Sequence, residues 1–69
     1  MSKLYTSGHI VKILQRKGFV YVSQKGSHVK FRKLNKVVIV PANRKEIPYG
    51  TFKSILRQSG LKEKDFKNK

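Results

Sequence analysis

Apolar residues at Ile10, Ile13 and Leu14, with Val11 beside them, recur three and four positions apart between Ser7 and Gly18. That spacing lays them along one stripe of a helix, which Ser7 would cap and Gly18 would end. The period then changes. Phe19 to Gln24, FVYVSQ, is a run of aromatic and β-branched residues, and it predicts a strand. Lys25-Gly26 supplies a short turn to a second strand from about Ser27 to Lys33, where Val29 and Phe31 alternate with His28, Lys30 and Arg32. Leu34-Asn35 reads as another turn, and KVVIV, Lys36 to Val40, as a third strand that Pro41 ends. After a loop from Ala42 to Gly50, Thr51 would cap a helix with Phe52, Ile55 and Leu56 on one stripe. Gly60 stands where a left-handed residue stops that helix, and Leu61 would pack back on Leu56. Beyond it one more short helical turn is expected, pinned by Phe66, with the last residues fraying.

Turns this short can join only antiparallel neighbours, because parallel strands need a crossover of about a dozen residues or more. The predicted fold class is therefore α+β. Its order is α-β-β-β-α, with two helices on one face of a three-stranded antiparallel sheet, as in double-stranded RNA-binding domains. All 69 residues form one domain, ordered from about residue 2 to 66. Successive strand side chains point to opposite faces, so burying Val29 and Phe31 leaves His28, Lys30 and Arg32 together on the uncovered side. A chain of this size buries only about 60% of its unfolded surface. A deep substrate cavity does not fit in it, and any chemistry belongs on the open face.

Charge narrows the partner. Seventeen Lys and Arg against three Asp and Glu give a net charge of +14, a self-repulsion that an anionic partner would offset. Nucleic acid, an anionic membrane and an acidic protein all carry the right sign. VVIVPA is the longest apolar run, far short of the roughly 20 residues that cross a bilayer, and no stretch has the face of an interfacial anchor. A membrane role is not expected. The N-terminal residues lack the continuous apolar core of a signal peptide, and there are no cysteines, so a reducing, cytoplasmic setting is expected.

A lone histidine in a basic protein is ordinarily just an exposed polar residue. His28 has a better context. It follows a Gly26-Ser27 turn able to present backbone N–H groups to an anion, and it shares a face with Lys30 and Arg32. RNA suits such a site because it carries its own nucleophile, the 2′-hydroxyl, which attacks the adjacent phosphorus once a base takes its proton. An imidazole with an ordinary pKa of about 6.5 serves as base or acid near neutrality. Lys25, Gly26, Ser27, Lys30 and Arg32 are the expected RNA contacts. No metal or other cofactor is expected, because Glu46, Glu63 and Asp65 are the only carboxylates and two of them sit near the C-terminus. Ser27 neighbours His28 on a strand and faces away from it, so it is not read as a nucleophile. His9 lies in the first turn of the first helix, where a cationic ring is disfavoured, and a structural role is expected. Tyr21 and Tyr49 would either stack on bases or pack at the sheet edge.

The sequence GF after the first helix, GSH before a strand holding Phe31, VVIVP, and then GTFKSILRQSGL together resemble the HicA-type toxins of bacterial toxin–antitoxin pairs, over about Ser2 to Phe66. The resemblance implies the double-stranded RNA-binding-domain fold and ribosome-independent mRNA cleavage. It also implies that His28 is the catalytic residue and that a HicB-type antitoxin is the partner. Many relatives carry a second His two residues after the proline that closes the third strand, where this chain has Asn43. Asn exchanges no proton at neutral pH. The alternatives are a non-catalytic RNA-binding module of the same topology and a basic structural protein of a ribonucleoprotein.

Overall fold

The computed structural model of the chain describes residues 4–67. Its first helix, α1 (Ser7–Arg16), is capped by Thr6 and not by Ser7: the Thr6 hydroxyl accepts the His9 N–H at 3.0 Å. Ser7 is buried instead. Its hydroxyl donates to the Pro41 carbonyl at 2.6 Å and accepts the Arg44 N–H at 2.9 Å, tying the helix start to the loop after the third strand. Ile10, Ile13 and Leu14 face inward as their spacing requires. Gly18 takes φ 97° and turns the chain out of the helix. Lys33 reaches across that turn to donate from Nζ to the Lys17 carbonyl at 2.7 Å, placing a cation at the negative end of α1.

Three strands follow, β1 (Val20–Lys25), β2 (His28–Lys33) and β3 (Lys36–Pro41), in an antiparallel sheet of order β1-β2-β3. The first turn falls one residue later than the expected Lys25-Gly26. Lys25 pairs with His28 around a two-residue Gly26-Ser27 turn, in which Gly26 has φ 60°. A left-handed glycine at the first turn position matches the right-handed twist of the flanking strands. The second hairpin also has a two-residue turn, Leu34-Asn35, but there the left-handed residue is Leu34, at φ 57°. Between Tyr21 and Ser23 the β1–β2 register shifts at a β-bulge on Val22.

Helix α2 spans Tyr49–Ser59, starting two residues before the expected Thr51 cap. Pro48 occupies the N-cap position without a side-chain bond. Its fixed φ suits a helix start and its carbonyl accepts the Phe52 N–H at 2.9 Å. At the other end Gly60 takes φ 76° as expected, and Leu61 packs on the core. A third helix, α3 (Glu63–Lys67), is the short turn foreseen around Phe66. Asp65 steadies its start by accepting the Lys62 N–H at 2.8 Å, which holds the carboxyl below its usual range, with Lys17 Nζ 3.6 Å away. The expected fraying falls on residues 68 and 69, outside the described residues.

The core lies between the helices and the inner face of the sheet. It joins Ile10, Ile13 and Leu14 of α1 to Phe19, Phe31, Val38, Val40, Ile47, Phe52, Ile55 and Phe66. His9 has the structural role expected of it. Its ring stacks on Tyr5 with centroids 4.9 Å apart, and Nε2 lies 2.6 Å from the Phe66 carbonyl, clasping α3 to α1. The outer edge of β3 is covered, since the Ile39 N–H donates to Gln58 of α2 at 2.9 Å and the Pro41 carbonyl is taken by Ser7. Side chains have blunted that edge as ladder partners would.

Candidate nucleic-acid interface on the open sheet face

Among the described residues no helix packs on the other side of the sheet, and the residues of that face follow from the register. His28, Lys30 and Arg32 of β2 stand opposite Lys25, Ser23 and Val20 of β1, and opposite Pro41, Ile39 and Val37 of β3. Paired residues share a face, so these nine positions form three rows across the open side. At the end nearer the Gly26-Ser27 turn, Ser23, Lys25, His28, Lys30 and Ile39 line a shallow groove of about 270 Å³. His28, Lys25 and Lys30 are all exposed there, and Ile39 forms a half-buried floor.

Of the six candidate residues, His28, Lys25 and Lys30 meet in this groove, while Gly26 and Ser27 form the turn at its mouth. The turn is held on both sides. Gln24 Nε2 donates to the Gly26 carbonyl at 2.9 Å, and the Ala42 N–H donates to the Ser27 carbonyl at 2.7 Å. Arg32 stands apart. Four residues along an extended strand put it about 13 Å from His28, and its Nε donates to the Leu34 carbonyl at 3.1 Å. It serves the far end of the face.

Ser23 and Ile39 were missed from the sequence. Counting back from the Leu34-Asn35 turn sets Ile39 opposite Lys30, whereas Ser23 comes opposite Lys30 only because the first turn falls at Gly26-Ser27. Tyr21 does not reach the open face: it pairs with Phe31 on the inner side, ring edge to face with centroids 6.3 Å apart. Tyr49 leans on Phe52 at 6.3 Å, and a hydrogen bond to the Glu63 carboxylate raises its pKa. Neither is placed to stack on a base in the groove.

Position 43 lies in the loop that follows β3. Asn43 takes φ 57°, a left-handed conformation that Asn tolerates because its short polar side chain bonds locally. This lets the chain double back after Pro41, so that the Ser7 N–H meets the Arg44 carbonyl at 2.9 Å. The start of α1 and a loop with Arg44 and Lys45 are thereby fixed beside the His28 end of the sheet. Histidine is also among the residues enriched in that conformation, so the backbone suits either side chain at this position.

The open face thus carries a groove lined by two lysines and one imidazole, on a sheet backed by helices. The model of the HicA toxin of bacterial toxin–antitoxin systems matches residues 8–61, well over half of the chain. The chain belongs to the HicA toxin family. The matched span runs from the start of α1 to the Leu61 that closes α2, and so includes the whole sheet and every residue of the groove. Among curated proteins no relative matches the chain. As a HicA toxin it is the toxin component of a toxin–antitoxin pair and has an antitoxin as its partner. No helix among the described residues is long and apolar enough to cross a membrane.

Proposed function

We propose that this toxin is a metal-independent endoribonuclease that cleaves mRNA in the cytoplasm, with His28 as its single catalytic residue, and that a HicB-type antitoxin restrains it. One observation carries the reading: the only imidazole on the open face sits in a groove between two lysines, Lys25 and Lys30. A strand of RNA laid along this face brings a phosphate between the lysines. Neutral His28 then takes the proton of the adjacent 2′-hydroxyl. The O2′–P bond forms as the P–O5′ bond breaks, and the departing 5′-oxygen takes a proton from water. Lys25 and Lys30 offset the charge that builds on the phosphoryl oxygens, and the Gly26-Ser27 turn and Arg32 hold neighbouring parts of the backbone. The products are a 2′,3′-cyclic phosphate and a 5′-hydroxyl.

Turnover tests this reading. At a tenth of the RNA concentration the toxin should degrade all of the RNA, and EDTA should leave the rate unchanged. A protein that only shifts RNA on a gel, without cleaving it, would instead be the non-catalytic binding module. RNA affinity should also fall steeply with salt, with a log-log slope near −3 for about four phosphate contacts on a single strand. A flat salt response would sink the nucleic-acid reading.

A further inference from the structure

The open face is bipolar. Of the six large hydrophobic residues exposed among the described residues, Val20, Leu34 and Val37 lie at the sheet end away from His28, while Tyr21 faces the inner side, Val22 sits at the bulge and Tyr49 begins α2. Val20, 61% exposed, and Val37, 42% exposed, flank Arg32 in one row of the open face. Leu34 extends this row from the hairpin tip, 80% exposed.

Leu34 is the telling residue. It holds φ 57° at the first position of a two-residue turn, where glycine fits without strain and a γ-branched side chain does not. It gains nothing from burial there. A residue that holds a strained backbone conformation while leaving a large apolar side chain in water points to a contact outside the monomer. Arg32 fixes the tip by donating to the Leu34 carbonyl, so the side chain is presented on a held backbone.

We propose that Val20, Leu34 and Val37, centred on Arg32, form a docking surface for the antitoxin, engaged by an acidic segment with aliphatic side chains. The proposal rests on the membership in a toxin–antitoxin pair and extends it from partner to surface. Charge selects the occupant. A second copy of this chain would bring another +14 to a surface that already holds Arg32, whereas an acidic partner gains from the same field. RNA meets this row only through a phosphate at Arg32, because single strands bind apolar surfaces through stacking on rings and Val20, Leu34 and Val37 are aliphatic. The antitoxin then holds the toxin at a point about 13 Å or more from His28 along the strand, separable from the groove.

Two variants test this, Leu34→Gly and Val37→Lys, each measured for affinity to the cognate antitoxin, for RNA cleavage and for sedimentation. Leu34→Gly should be at least as stable as the wild type, since glycine accepts the turn. Both should bind the antitoxin tenfold or more weakly, and Leu34→Gly, outside the nine positions of the RNA face, should cleave RNA at the wild-type rate. A loss smaller than tenfold in both variants would overturn the proposal. So would weakened RNA binding with antitoxin binding intact, which marks an RNA surface, or a wild-type dimer that Val37→Lys dissociates, which marks a self-contact. A wild type that cleaves no RNA at all would refute the nuclease reading and leave the binding result to stand on its own.

Discussion

Phe66→Ala should remove a large share of this protein's stability. Phe66 comes from a five-residue helix next to the C-terminus, yet it is fully buried, its ring edge-on to Phe52 at 5.2 Å and 6.4 Å from Tyr5. Replacing a buried Phe by Ala costs about 3–5 kcal/mol. A domain of this size has only about 3–10 kcal/mol in total, from roughly 0.05–0.15 kcal/mol per residue. The loss also frees α3, because the carbonyl bonded to His9 Nε2 belongs to Phe66. The melting temperature should drop by more than roughly 10 °C, or the cooperative transition should vanish. A shift of only a few degrees would mean that α3 is peripheral to the core.

His28→Ala should do the opposite, sparing the fold and removing the activity. The ring is exposed on a face that no helix covers, and both of its strand neighbours are themselves exposed or half-buried. Circular dichroism and melting should stay close to the wild type. General acid–base groups contribute about 10²–10⁴-fold to rate, and with one imidazole in the groove the whole of that factor falls on His28. Cleavage should therefore fall at least a hundredfold, and growth arrest on induced expression should disappear. RNA binding should remain, since Lys25 and Lys30 still meet the phosphates. Undiminished cleavage by a folded variant would remove His28 from the mechanism.

Periodicity made the fold legible. Ile10, Ile13 and Leu14 could only be a helix stripe, and the alternation through Val29 and Phe31 fixed which face His28 occupies. Gly18 and Gly60 marked helix ends because their left-handed backbones exclude most other residues. What escaped depended on contacts far along the chain. Thr6 and Ser7 are adjacent hydroxyls that can both cap a helix, and Ser is ordinarily the better of the two. Ser7 loses the cap because Pro41 and Arg44, more than thirty residues away, claim its hydroxyl. The bulge at Val22 has no glycine to announce it, and the Pro48 start of α2 was hidden by a better capping residue, Thr51. In the site, alternation gathered Lys30 with His28 correctly but said nothing of distance, so Arg32 was grouped with a histidine that lies two rows away. Leu34 read as an ordinary turn residue, because its strain exists only once the hairpin closes.

The central claim is that His28 activates the 2′-hydroxyl of the RNA itself. An RNA substrate with a single 2′-deoxy nucleotide on the 5′ side of the cleaved bond tests it most directly. This substrate should bind almost as tightly as its all-RNA parent, since phosphate contacts dominate affinity, and cleavage at that bond should stop. Cleavage of the deoxy-substituted bond, or a 5′-phosphate on the product of the parent RNA, would contradict it, because both require a nucleophile that the substrate does not supply.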